Sequence, residues 1–219
     1  MKILLFLSLS FTFLQLLPFG QTPPEPEKPE SPVKGWWMVS YFAVAPTQYS
    51  LAGKGTIKAE SLGTRSSLFK KVREKERDFP ILSWRWKISN VVHSAIETRK
   101  DRFDTAARVM VIFGTEDGFS FFGGGVPSGS RIEYIWGSRA SAGQVFDHPG
   151  DKNCKIFVLE SGDRRAGRWV EERRNIHKDF KTAFGEDPPK LVAMGIETDT
   201  DQSNEGVTAY YSDPRLTRK

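Results

Sequence analysis

From Gly35 onward the apolar residues fall in short runs separated by turn residues, a rhythm of strands rather than helices. The runs predict strands over Trp36–Val44, Gly55–Glu60, Ser67–Val72, Ile81–Ile88 and Ala106–Phe113. Further strands are predicted over Arg131–Trp136, Lys155–Glu160, Arg168–Glu172, Leu191–Thr198 and Val207–Tyr211. Turn-forming stretches such as Ala52-Gly53-Lys54-Gly55, Gly123-Gly124-Gly125 and Asp147-His148-Pro149-Gly150 stand between them. Many short strands at regular spacing imply a mainly β fold, an antiparallel β-sandwich of jelly-roll-like form. One helix breaks the pattern near residues 176–184, where Ile176, Phe180, Ala183 and Phe184 recur at helical spacing. Asn175 can cap its start, and Gly185 with Pro188-Pro189 ends it.

Side chains alternate across a strand, so parity sorts residues by face. In Ile81–Ile88, Leu82, Trp84, Trp86 and Ile88 share an apolar face that reads as core, with Ser83, Arg85 and Lys87 opposite. In Leu191–Asp199, Val192, Met194 and Ile196 are assigned to the core, and Ala193, Gly195, Glu197 and Asp199 to the other side. Arg131 and Glu133 likewise oppose Ile132, Tyr134 and Trp136. The strand Ala106–Phe113 is apolar on both faces and belongs at the sheet centre, with Arg108 its one charge. A buried charge needs a partner, since leaving it unpaired costs several kcal/mol. Arg85, Arg108, Glu133, Glu197 and Asp199 therefore form a candidate ligand-binding face. If they do, Arg108→Ala removes binding with a modest loss of stability, whereas loss of folding marks Arg108 as a core ion-pair member.

The N-terminus changes the setting. Met1 and Lys2 precede an uncharged apolar run from Ile3 to Leu17, the pattern of a signal peptide. That run is shorter than the ~20 apolar residues a membrane span needs. We read residues 1–20 as a signal peptide, 21–34 as a Pro/Glu-rich linker and 35–219 as one β-sandwich domain, with no membrane span after cleavage. A segment rich in proline and glutamate stays extended because it has little to bury. Cys154 is the only cysteine, so no internal disulfide forms. Export without disulfides fits the periplasm or outer surface of a Gram-negative bacterium. The net charge is +5, but acids interleave the basic residues, as in Lys70–Asp78, and no nucleic-acid partner is expected.

Several stretches resemble a bacterial exported family of unknown function, the domain of unknown function number three-zero-four-seven. They include Phe79-Pro-Ile-Leu-Ser-Trp-Arg-Trp-Lys87, Asp104-Thr-Ala-Ala-Arg-Val-Met-Val-Ile-Phe113, Ile132-Glu-Tyr-Ile-Trp136, Gly167-Arg-Trp-Val-Glu-Glu-Arg173 and Ala209-Tyr-Tyr-Ser-Asp213. The sequence departs from the family in Asp201-Gln202-Ser203-Asn204, where an Asp-Asn-Thr-Gly pattern is usual, and in looser loops at Gly123–Ser130 and Gly137–Gly150. The resemblance implies export and a β-sandwich and brings no activity.

Candidate chemistry is sparse. Asp199, Asp201 and Glu205 lie in an acidic loop with enough oxygens to suggest structural calcium, although the loop lacks the EF-hand order. Glu133 and Glu197 are the pair a polysaccharide hydrolase or lyase would use as acid and base. His93, His148 and His177 show no metal-ligand spacing, and no Ser-His-Asp order is visible. The expected function is an exported envelope protein with a non-catalytic binding domain for a glycan or other polar ligand. The alternatives are the carboxylate-pair enzyme and a structural or protein-interaction domain.

Overall fold

A computed structural model describes residues 31–53, 55–114 and 127–219. The expected signal peptide, linker residues 21–30 and Gly123-Gly124-Gly125 lie outside the described residues. In chain order the strands begin with β1 (Trp37–Ser40), β2 (Gln48–Leu51), β3 (Thr56–Leu62), β4 (Arg65–Lys71), β5 (Ile81–Ile88) and β6 (Thr105–Phe113). There follow β7 (Ser130–Gly137), β8 (Val145–Asp147), β9 (Cys154–Ser161) and β10 (Val170–Asn175). Helix α1 (Ile176–Phe184) precedes β11 (Leu191–Asp199), β12 (Gly206–Ser212) and β13 (Arg215–Thr217).

Two sheets face each other, so the mainly β sandwich expected from the pattern is what forms. One has the order β1-β4-β11-β6-β7-β9-β8, the other β10-β5-β12-β3-β2, with β13 paired to β5. Among the described residues every pairing is antiparallel except β7 with β9. The chain leaves β7, forms β8 as the outer edge and turns back, so β9 enters between them running the same way as β7. The unforeseen strands β2, β8 and β13 have three or four residues, too few to display a period of two.

The alternation of β5 delivers what it implies. Leu82, Trp84, Trp86 and Ile88 are buried between the sheets. Trp84 meets Trp86 edge-on at 5.5 Å, and Trp86 meets Trp136 at 5.9 Å. The tryptophans are core and present no surface to a ligand. Every residue of β6 and β11 is buried, because loops cover the outer face of this sheet as well. A register shift between Leu191 and Ala193 corrects one parity assignment. Leu191, Met194 and Ile196 point between the sheets, while Val192 joins Ala193, Met110 and Phe69 on the outer face.

Helix α1 begins where Asn175 Oδ1 accepts the Lys178 backbone N–H at 3.0 Å. It ends at Gly185, whose φ of +81° is the left-handed conformation that glycine adopts without penalty. Ile176 and Phe180 bury against the sandwich, and Phe180 packs on Phe113 at 4.8 Å. Cys154 is fully buried beside Ile156 and Val158, and burial pushes its thiol well up, so it is an apolar filler rather than a nucleophile.

Candidate functional site

The outer face of the seven-stranded sheet has two apolar groups, one around Phe69, Met110 and Ile112, the other around Phe103, Ile135 and Ile156. Charged side chains occupy the middle. Register brings them together: Glu197 on β11 pairs with Ser67 on β4 and with Arg108 on β6. Glu133 on β7 pairs with Met110, two residues along from Arg108 and hence diagonal to it. Gly195 allows β11 to sit this close, since a Cβ there would meet the Phe69 ring at 2.5 Å.

Arg108, only 1% exposed, is the hub. Its Nη1 lies 2.8 Å from Glu197 Oε1 and 3.4 Å from Glu133 Oε2, and its Nη2 lies 3.5 Å from Asp199 Oδ2. Nε donates to Thr105 Oγ1 at 3.0 Å, and Nη2 donates to the Phe103 carbonyl at 3.3 Å. Two further arginines flank it. Arg65 Nε stands 3.3 Å from Glu197 and 3.2 Å from Asp199, with its guanidinium 4.1 Å above the Tyr41 ring. Arg131 Nε lies 2.8 Å from Glu133 Oε1 and Nη2 lies 3.0 Å from Asp151. Tyr41 and Ser67 both donate hydroxyl protons to Glu197 Oε2.

Burial opposes ionisation of these carboxylates, and the arginines decide the outcome. Burial raises Glu197, but Arg108 and Arg65 outweigh it and hold the carboxyl at about 2. Glu133 is likewise held below its ordinary range by Arg108 and Arg131 against the cost of burial. Asp199 goes the other way: burial and the neighbouring Glu197 charge drive it well up despite Arg65 and Arg108. Burial raises the Tyr41 hydroxyl, so it remains a proton donor.

The cluster forms the wall of a depression of about 360 Å³. Tyr41, Arg65, Arg108, Arg131, Glu133 and Glu197 line it from the sheet side. Lys100, Phe103, His148, Asp151 and Gln202 line it from the loops. The loop after β7 is fixed by buried Glu97, whose carboxylate accepts the backbone N–H groups of Ser138, Arg139 and Ala140. Further along, the His148 backbone N–H donates to the Cys154 carbonyl at 3.0 Å, and the His148 ring meets Phe103 at 4.5 Å. Burial lowers the His148 imidazole, which is therefore neutral near pH 7.

Four of the five residues proposed from parity converge: Arg108, Glu133, Glu197 and Asp199. Arg85 does not. It lies on β5, in the opposite sheet, beside Trp169. Parity reports which side of its own strand a residue takes, not which sheet the strand joins. Arg131 was visible by parity with Glu133, whereas Arg65 preceded the predicted strand and Tyr41 lies where the chain turns, at Ala43 with φ +58°. His148 and Gly150 sit in a turn that needed no function by sequence, yet both line the depression.

The acidic loop also divides. Asp104, Asp199 and Asp201 bring ligand-type oxygens within 4.8 Å of one another. Glu205 lies apart, accepting the backbone N–H groups of His93 and Ser94 and the Ser94 hydroxyl. Most of the oxygens of Asp104 and Asp199 are engaged already, while buried Asp201 Oδ1 has no hydrogen-bond partner among the described residues. Asp104 accepts the Gln202 and Ser203 backbone N–H groups, and Asp199 meets Arg65, Arg108 and the Asp201 N–H.

A family described as a protein of unknown function, DUF3047, matches residues 34–215. No curated protein matches the chain. Among solved structures, the xyloglucanase domain of NopAA, a type three effector from Sinorhizobium fredii in complex with cellobiose, is similar at 9% identity with a TM-score of 0.47. That match covers 84% of this chain and 94% of the other. The family 30 carbohydrate-binding module of the Clostridium thermocellum cellulase Cel9D-Cel44B is similar at 10% identity and a TM-score of 0.41, covering 84% and 91%. The family 11 module of Lic26A-Cel5E from the same organism gives 11% and 0.39, covering 86% and 90%.

Proposed function

We propose for this chain, which belongs to the DUF3047 family of unknown function, a non-catalytic binding domain that holds an uncharged glycan or similar polyhydroxy ligand. Its site is the depression on the outer face of the seven-stranded sheet. The observation that carries this reading is the interlocked set of arginines and carboxylates in its wall. Each hydroxyl of a sugar both donates and accepts, so the partly exposed Arg65, Arg131 and Asp151 suit it, held in place by the buried Arg108, Glu133 and Glu197 behind them. The partners fix these side chains before a ligand arrives, which lowers the entropy cost of binding. Glu133 Oε2 is buried, with Arg108 Nη1 at 3.4 Å and no hydrogen-bond donor among the described residues. Four cations and three carboxylates line the depression, leaving little net field to select a charged ligand.

A carboxylate-pair enzyme needs a protonated acid beside the ligand. Glu133 and Glu197 are both held ionised, and none of the raised carboxyls, Asp104, Glu172 and Asp199, is part of the depression's lining. Binding without turnover is therefore the better reading. Residues 1–20 direct export and 21–34 tether the domain, placing it in the periplasm or on the outer surface of a Gram-negative cell.

The test is calorimetry of the protein against neutral envelope oligosaccharides, with Lys100→Ala and Tyr41→Phe as site variants. Binding weakened about tenfold or more by either variant, a difference of ~1.4 kcal/mol, supports the site. Release of reducing ends from the bound sugar would establish an enzyme instead. Absence of any neutral ligand, with native folding intact, would overturn the assignment.

A further inference from the structure

The outer face of the six-stranded sheet carries side chains that take no part in the depression. Val170 pairs with Trp86, which sets Trp169 level with Lys87, and Lys87 pairs with Tyr210. Tyr210 pairs in turn with Lys58. An aromatic, a cation, an aromatic and a cation thus stand in a row across four strands spaced ~4.8 Å apart. Trp169 is 40% exposed, one of the few large apolar side chains left to solvent among the described residues. Lys87 Nζ lies 4.3 Å from the Tyr210 ring centroid and 5.5 Å from that of Trp169. The Arg85 guanidinium lies 5.5 Å from the Trp169 ring.

The cations are unevenly committed. Lys58 is paired with Glu60 at 2.7 Å. Among the described residues, Arg85 and Lys87 form no ion pair, although Glu171 stands across from Arg85. Their attraction to the rings holds them in place without neutralising them. An exposed indole offers an apolar face to the C–H side of a sugar ring. Two unneutralised cations beside it ask for an anion. A free phosphate would need no indole, and a neutral glycan no cations.

We infer that this face is a second binding surface, separate from the depression, for an acidic polysaccharide. The sugar ring lies against Trp169, and its carboxylates meet Arg85 and Lys87. The net charge of +5 favours the approach of such a polymer.

The probe is hexagalacturonate, titrated into the full chain at low and physiological salt, with cellohexaose and phosphatidylglycerol vesicles in parallel. Hexagalacturonate binds, and Trp169→Ala and Arg85→Ala/Lys87→Ala each weaken it about tenfold or more. Added salt weakens it as well, because the contacts are exposed. Lys100→Ala, in the depression, leaves it unchanged, which separates this surface from the first site. Trp169 and Arg85 are exposed and Lys87 is half-buried, and thermal melting checks that the variants fold. Equal binding of cellohexaose that Trp169→Ala weakens as much overturns the charge selection, whereas cellohexaose binding lost in Lys100→Ala belongs to the depression. Binding to vesicles without binding to hexagalacturonate overturns the proposal in favour of a membrane surface. No binding of hexagalacturonate, or binding insensitive to both variants, overturns it outright.

Discussion

Arg108 and Glu197 face each other on neighbouring strands, guanidinium to carboxylate at 2.8 Å, both almost wholly removed from solvent. Such a pair gains from its Coulomb attraction only what desolvation leaves, but removal of one partner strands the other. Here the stranded set is larger, because Glu133 and Asp199 also depend on Arg108.

Arg108→Ala is accordingly expected to lower stability by about 3–5 kcal/mol, measured by urea denaturation. The sequence left two outcomes open for this variant, a modest loss at a ligand-binding face or loss of folding for a core ion pair, and the burial of Arg108 among three carboxylates favours the second. A loss below about 1 kcal/mol would show that water enters and solvates the carboxylates. The binding role is thus better tested through Tyr41 and Lys100.

Gly195→Ala is expected to destabilise the sheet by about 1–3 kcal/mol, the usual range for overpacking. The added methyl meets the Phe69 ring carbons at 2.5 and 2.6 Å and Met110 Cε at 2.9 Å. Met110 is flexible, but the Phe69 ring is enclosed on the same face by Ile112 and Val192. A thermal melt equal to that of the parent would mean that the ring turns aside.

Acid should destabilise the protein through Glu197. Its folded value of about 2 lies below the ordinary 4.5, so the unfolded chain binds more protons over that window and stability falls as pH falls through it. Glu197→Gln should flatten the acid limb of a stability-against-pH curve while lowering stability at neutral pH. An unchanged acid limb would assign that limb to other carboxylates.

Glu172 predicts the opposite slope at higher pH. Burial and the nearby Glu160 raise it from 4.5 to about 7. The folded state then holds a proton that the unfolded chain releases, so stability declines as pH rises from about 4.5 to about 7. In Glu172→Gln that decline should be smaller, as read by chemical denaturation at a series of pH values.

Calcium is expected to leave the melting temperature unchanged, with chelator as the reference. Calcium takes 6–8 oxygens, whereas Asp199 is committed to Arg65 and Arg108, and Glu205 caps a different loop. A calcium-dependent rise would show that the ion displaces those arginines.

Local order was legible in the sequence because its causes are local. The alternation in β5 separated Leu82, Trp84, Trp86 and Ile88 from Ser83, Arg85 and Lys87, and Asn175 and Gly185 bounded the helix. Parity also set Arg108, Glu133 and Glu197 opposite the core, which was most of the cluster. Sheet membership was a different matter. Strand pairing joins residues far apart in the chain, so nothing near Arg85 says that β5 lies across the sandwich from Arg108. The bulge that turned Val192 outward arose from fitting β11 against β6. His148 reached the depression through the turn between β8 and β9, which sets it against Phe103, a residue far back in the chain and a contact without local trace. Amino-acid order determined which residues could be buried, turned or charged, while packing between distant segments decided which charges met and where a depression remained.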